Sequence, residues 1–280
     1  MGQKVNQKIF RAGTLNYEYN QKYLEKNTEE SSLILYSNIE IINYIESVLK
    51  LYGILVHNCK IEYTQTSINV IICFFDLNTK LNHNFVKNNK KKLISFIITN
   101  VLPLSLHLYL KTKKVNIKTK SLNKTFEDSE TKKIINKTLK HFKKILRNKL
   151  YKDLIKIMFI TVHEKNSSKL LAQIIAIYIN KHKKKHYYLF SILKKYFNIL
   201  IFSKISRIKG LKIAVSGRIN GAPRAKTLKL QVGSIPLQSF ESSISYSNTT
   251  AYTPNGTFGI KVWICEKLIV YVFTTKKIKI

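Results

Sequence analysis

The densest chemical feature of the chain is Lys181-His182-Lys183-Lys184-Lys185-His186-Tyr187-Tyr188. Ammonium groups beside phenol rings suit phosphate contact combined with packing on base or ribose. For any single lysine here, a solvated helix face is the plain alternative. His182 and His186 stand four residues apart, a spacing that can put two imidazoles on one helical face as zinc ligands. Three lysines lie between them with no Cys or Glu alongside, and like-charge repulsion opposes a cation. No metal is expected. From residue 165 to the end, the only acids are Glu241 and Glu266, too few for a general acid–base pair. No Ser/His/Asp set stands out. The residues therefore argue against an enzyme, a cofactor and a small-molecule substrate.

The field around this cluster is one-signed. Residues 165–240 hold 16 Lys and Arg and no Asp or Glu. Over all 280 residues, 49 Lys and Arg face 15 Asp and Glu, a formal charge of +34. Such a balance implies a polyanionic partner, nucleic acid first and an anionic membrane second. The 45% of hydrophobic residues is enough to build a core. The length allows one large or two small domains. Only 5 of the 49 basic residues are Arg, and Lys, Ile, Asn and Tyr make up 123 of the 280 residues. These are amino acids with A+T-rich codons. An organellar genome is the simplest source of that bias, which also supplies some of the lysine.

Three scattered cysteines (Cys59, Cys73, Cys265) form neither a CxxC pair nor a disulfide framework. The opening Met1-Gly2-Gln3-Lys4-Val5-Asn6 has no apolar secretory region, is poor in the Arg and Ser of a transit peptide, and has Asn where a myristoylation signal needs Ser or Thr. Synthesis inside the organelle is the expectation.

The elements that would position these residues read as follows. Residues 1–30 are polar and irregular, a tail. Ile39, Ile42, Ile45, Leu49 and Tyr52 predict a helix over 36–52, ended by Gly53. Two alternating runs, 56–63 and 67–75, predict a hairpin, with Ile68, Val70, Ile72 and Phe74 on one face. Residues 93–110 carry no charge, but Pro103 and the alternating Leu104, Leu106, Leu108 and Leu110 favour a buried helix to about Leu102 and then a strand over a membrane span. Weak strand character follows around Val115 and Ile117. A basic amphipathic helix is expected over 129–151, a strand over 154–163, and helices from Ser167 and over 187–206. After Gly210, strands are expected at 211–216, 226–233, 239–247 and 257–265. Trp263 is read as core, with Lys261 on the opposite face. Between Gly53 and Gly210 there is no glycine, which excludes any Gly-rich phosphate loop or GxxG clamp in that span.

The stretch GLKIAVSGRINGAPRAK (Gly210 to Lys226), with Pro236-Leu237, Ile244-Ser245-Tyr246 and Ala251 to Ile264, resembles the C-terminal domain of the small-subunit ribosomal protein S three family. That family's pattern runs G-I-K-V-x-V-S-G-R-L-x-G-A-x-x-A-R, then P-L, I-D-Y and A-x-T-x-x-G-x-x-G-V-K-V-W-I. The opening MGQKVNQKIFRAG is similar to the family's start, M-G-Q-K-V-x-P-x-G-F-R-x-G, with Gln7 and Ile9 where the family has Pro and Gly.

The resemblance implies an α+β fold: a degenerate type-II KH domain (αββααβ) with an insertion, followed by an α/β C-terminal domain with an antiparallel sheet. The implied division is an rRNA-contacting tail over 1–30, a KH-like domain over 31–163 with an insertion at about 76–128, and the C-terminal domain over 164–280. Without its GxxG clamp, the KH-like domain reads as a docking module. The implied function is structural: a constituent of an organellar small ribosomal subunit, binding rRNA in the head and helping to line the mRNA entry. A mitochondrion is favoured over a plastid by the missing clamp and the long middle. A free RNA-binding regulator is the rival reading. Implied partners are small-subunit rRNA, mRNA at the entry channel, and small-subunit proteins S ten, S fourteen and S two.

The family's basic entry-lining pattern F-R-R-A-M-K-R finds its nearest match at Phe190-Ser191-Ile192-Leu193-Lys194-Lys195, with Lys183, Lys184 and Lys185 as substitutes one or two turns earlier. The full set of candidate RNA-contacting residues is Gln3, Lys4, Arg11, Lys183, Lys184, Lys185, Lys194, Lys195, Arg207, Arg218, Arg224, Lys226 and Lys261. Gly217, Gly221, Gly256 and Gly259 are read as serving backbone geometry.

Overall fold

The computed structural model describes residues 5–13, 21–25, 30–64, 66–77, 95–110, 114–123, 149–182, 184–203 and 206–267. It is mixed helix and strand, α+β. The chain divides into two compact units, one of residues 1–16, 161–172 and 179–280, the other of residues 17–160 and 173–178.

In the second unit, helix α2 (Glu30–Leu51) leads through Gly53 into strand β2 (Ile54–Tyr63). Gly53 has φ +72°, a conformation that costs glycine nothing and other residues a Cβ clash. Strand β3 (Ser67–Asp76) returns antiparallel to β2. The short β1 (Gln21–Lys22) pairs parallel with β2, and β4 (Lys114–Ser121) pairs parallel with β3, giving the order β1-β2-β3-β4. The core is aliphatic: Ile41, Ile45 and Leu49 of α2 meet Ile61 of β2 and Val70 and Ile72 of β3.

Helix α2 differs from its expectation. It starts at Glu30, and its buried stripe runs through Asn38, Ile41, Ile45 and Leu49, while Ile39 is exposed. Asn38 is buried because its Oδ1 accepts a hydrogen bond from the Tyr63 hydroxyl at 2.7 Å. Residues 104–110 are no strand. Ile97–Val101 form a π-turn that runs into helix α3 (Leu102–Leu110). Leu102 and Leu106 are buried one turn apart, and Leu104 and Leu108 are exposed. The leucine alternation therefore marks two helix faces. Pro103 follows closely on the π-turn, an irregularity of the kind found where a helix runs on through a residue without an N–H.

Residues 154–163 are helical rather than extended. They lie in α4 (Lys149–His163), and Leu154, Ile155, Ile157, Met158, Ile160 and Val162 are all buried. Only Lys156, Phe159 and His163 are half-exposed, on one narrow face, and with Phe159 among them too few polar residues remain in 154–163 to show the helical period. Of the helix expected over 129–151, residues 129–148 lie outside the described residues and 149–151 form the start of α4.

Helix α5 (Ser168–Lys181) is shared, its residues 173–178 belonging to the second unit. In the first unit, α6 (His186–Ile201) precedes an antiparallel sheet of β5 (Ile208–Gly217), β6 (Lys226–Gly233), β7 (Ile244–Thr253) and β8 (Gly256–Glu266), in the order β6-β5-β8-β7. The third strand starts at Ile244 rather than 239, because residues 239–243 form turns. Helix α6 packs on β6 and β5 through a broad apolar stripe that includes Leu189, Leu193, Tyr196, Phe197 and Leu200. Each such side chain contributes about 1.5–3 kcal/mol on burial. Opposite them lie Ile213, Val215, Ile260, Val262 and Ile264, alternate residues of β5 and β8.

Candidate nucleic-acid interface

The apolar stripe of α6 dictates what its other side shows. With Leu189, Ile192, Leu193, Tyr196 and Phe197 inside, Tyr187, Tyr188, Ser191, Lys194, Lys195 and Asn198 are left exposed. Lys184 and Lys185 precede the helix and are exposed as well. Basic and aromatic side chains thus share one face, the pairing single-stranded RNA binders use.

A reciprocal clamp joins the start of α6 to the turn after β5. The His186 N–H donates to Asn220 Oδ1 at 3.0 Å, and the Asn220 N–H donates to His186 Nδ1 at 3.0 Å. The His186 ring is buried edge-on against Phe258, centroids 5.1 Å apart. Because Nδ1 accepts, the ring proton of this neutral imidazole sits on Nε2. Burial is the largest cause holding its pKa below the usual histidine value. Asn220 takes φ +54° to make the turn, and Gly221 follows at φ +79°. The Arg218 Nε donates to the Ala222 carbonyl at 3.0 Å, which braces the turn from outside. Arg218, Arg224 and Lys226 are exposed around it. The clamp therefore brings Lys184, Lys185, Arg218, Arg224 and Lys226 to one end of the unit.

The same clamp removes the zinc geometry. His182 follows the end of α5 and His186 begins α6, so the two are not on one helix, and the His186 Nδ1 is already occupied. Among the described residues no cluster of metal-ligating side chains occurs.

Other candidates fall elsewhere. Arg11 is a correction. It is 4% exposed, and its Nη2 donates to the carbonyls of Leu237 at 2.9 Å and Ser239 at 2.7 Å, with that of Pro236 at 3.2 Å. Its Nη1 reaches the Gln7 side chain. Burial lowers its pKa from the ordinary arginine value. Phe10 stacks on Phe240 at 4.3 Å. Residues 5–13, including the short helix α1 (Gln7–Phe10), are thus pinned to the 236–242 loop, and the Arg11 guanidinium is committed to carbonyls rather than offered to phosphate. Arg207 is exposed at the far end of β5 from Gly217, about 30 Å away at strand rise, so it does not join the Arg218 cluster. Gln3, Lys4 and Lys183 lie outside the described residues.

Lys261 and Trp263 also need correction. They alternate with buried Ile260, Val262 and Ile264, so they share one face, and it is not the core. Trp263 is half-buried there, 5.4 Å from Tyr246, with Lys212 Nζ 5.6 Å above its ring. The period-2 rule shows that 261 and 263 point the same way. Lys212 and Lys229 were missed. Strand alternation alone could have placed Lys212 opposite Leu211 and Ile213. Its meeting with Trp263 depends on strand register, which no local pattern carries.

Residues 194–264 match the family described as Ribosomal protein S3, C-terminal domain. The match to the ribosomal protein S3 family is confined to this C-terminal region of the chain. Similar curated proteins include the small ribosomal subunit protein uS3c of Emiliania huxleyi, 49% identical over 65 residues, 23% of this chain and 30% of that protein. The small ribosomal subunit protein uS3 of Endomicrobium trichonymphae is 48% identical over 63 residues, 22% of this chain and 27% of that one. The corresponding protein of Kosmotoga olearia is 52% identical over 56 residues, 20% and 26%. The chain spans under a third of the length of these relatives. The S3-like match covers the sheet, the clamped turn and the second half of α6, from Lys194 onward. Among the described residues no helix is long and apolar enough to cross a membrane.

Proposed function

We propose that the chain is a structural constituent of a small ribosomal subunit, binding small-subunit rRNA through the C-terminal unit and helping to form the mRNA entry. The carrying observation is the basic surface formed by the outer face of α6 and the clamped 218–226 turn, within or beside a stretch that matches ribosomal S3 proteins. It holds Lys184, Lys185, Lys194, Lys195, Arg218, Arg224 and Lys226, all exposed. Between 165 and 240 no acid competes with phosphate for them. The role is positioning and binding, without covalent chemistry. Lys194 and Lys195 stand nearest the family's entry-lining pattern, and they are assigned to mRNA.

The domain division proposed is an N-terminal segment over 1–30, a KH-like module over 31–163 with an insertion at about 76–128, and the S3 domain over 164–280. The module has no GxxG loop to grip nucleotides, so docking within the particle is its assigned part. Neighbouring small-subunit proteins S ten, S fourteen and S two are the proposed protein contacts. The matched relatives are chloroplast and bacterial proteins. Location in the mitochondrion rather than a plastid rests instead on the missing clamp and the long middle of this chain; the A+T-codon composition fits either organelle.

The test is sedimentation of detergent-lysed mitochondria through sucrose at moderate and high salt, following this chain by mass spectrometry. Co-migration with small-subunit rRNA through the high-salt gradient is expected, since many phosphate contacts must break together. A chain left at the top of both gradients overturns the reading.

A further inference from the structure

The sheet of the C-terminal unit has a second face, turned away from α6. Its composition follows from register. Gln231, Lys212, Trp263 and Tyr246 form one row across all four strands. Lys229, Ala214, Lys261 and Asn248 form the next, and Thr227, Ser216, Gly259 and Thr250 the third. These twelve positions hold three lysines, two aromatic residues, two amides and three hydroxyls, with no acid and no aliphatic side chain larger than alanine. Each row is exposed or half-buried.

A solvated sheet face needs no aromatic pair at one end. Here Trp263 and Tyr246 lie 5.4 Å apart, with Lys212 Nζ 5.6 Å from the indole centroid. Small residues, Ala214, Ser216 and Gly259, floor the middle of the face, and Lys229 and Lys261 rise on either side of Ala214. Aromatic rings at one end, ammonium groups around a low floor, and amide and hydroxyl groups at the edges match the chemistry of an unpaired nucleotide strand. Rings take bases, ammonium groups take phosphates, and the amides take base edges or ribose hydroxyls. A protein partner of the ordinary kind would offer apolar side chains, for which this face has no aliphatic seat.

We infer that the outer face of the C-terminal sheet is a second RNA-binding surface, which holds a single-stranded segment stacked on Trp263 and Tyr246 with its phosphates on Lys212, Lys229 and Lys261. The inference rests on the ribosomal reading for the presence of RNA and on the geometry of the face for everything else. It is separate from the α6 surface, which lies on the other side of the sheet.

Trp263 is the only tryptophan in the chain, so its fluorescence reports on this face alone. The full-length protein is titrated with a short mixed-sequence single-stranded RNA and, in parallel, with inorganic polyphosphate, which has charge but no bases. RNA is expected to quench Trp263, and polyphosphate to leave it nearly unchanged. In the triple variant Lys212→Gln, Lys229→Gln, Lys261→Gln, the slope of log K against log salt should fall by about 2, three contacts at roughly 0.7 each. The double variant Lys194→Gln, Lys195→Gln should bind more weakly but keep the full quench, which separates the two faces. Absence of RNA quenching in the wild-type protein overturns the inference, and would leave this face to a protein neighbour. It would not touch the ribosomal reading, which the gradient decides.

Discussion

Replacing Arg11 with alanine separates a structural arginine from an RNA-binding one. The Nη2 group has two protons, and the carbonyls of Leu237 and Ser239 at 2.9 and 2.7 Å are its best acceptors. Hydrogen bonds to a charged group contribute about 1.5–3 kcal/mol each, and the two are not additive. Arg11→Ala also leaves carbonyls facing a void beside the Phe10–Phe240 stack. A loss of about 3 kcal/mol is expected, or roughly 12 °C at about 4 °C per kcal/mol for a unit of this size. Thermal melting followed by Trp263 fluorescence reads the right unit. Arg11→Lys should recover only part of the loss, because a point charge cannot span the fork of acceptors. The salt slope of RNA binding should be the same for wild type and Arg11→Ala. A melting shift under about 3 °C, or a slope reduced by about one contact, would refute the assignment.

Three further outcomes follow from the same geometry. Burial holds the His186 pKa below the usual histidine value, so the unfolded chain binds more protons than the folded one as pH falls below about 6.5. Stability from this group is complete above that pH and declines below it until the folded pKa is passed. Melting at pH 7.5 and pH 5 should show the drop in wild type and a smaller one in His186→Gln; equal drops would exclude His186 as the cause. Gly217→Ala would set a Cβ 2.5 Å from the Phe258 ring at φ +156°, and a loss of about 1–3 kcal/mol in urea unfolding is expected. An unchanged midpoint would mean the turn has room the geometry denies. Charge reversal at Lys184, Lys185, Lys194 and Lys195 together should cut RNA affinity and lower the salt slope by about 3 in filter binding, with melting unaffected; an unaltered slope would take α6 out of the interface.

The legible parts of this chain were those where one side of an element meets water. Strands β3, β5 and β8 alternate cleanly because each covers a core on one face, and helix α6 shows its stripe because Lys194 and Lys195 mark the wet side. Illegible parts lacked such contrast. Helix α4 is buried nearly all round, so its β-branched run looked extended. Leu104 and Leu108 stay exposed while Leu102 and Leu106 are covered, which imitates a strand's period. Arg11 looked like a loose cationic residue because its partners, the carbonyls of residues 236–239, lie more than 220 positions away. The His186–Asn220 clamp joins residues 34 apart and has no motif of its own. Motif residues around Gly217 and Arg218 identified the domain, while the row of Lys212, Trp263 and Tyr246 emerges only from register.

The most direct test of the RNA-facing assignment is ultraviolet crosslinking of intact small ribosomal subunits, with nucleotide adducts on this chain mapped by mass spectrometry. Adducts on peptides covering residues 184–195 and 218–226 are predicted, the two stretches the clamp unites. Clean peptides there, in particles whose other proteins carry adducts, would contradict the account.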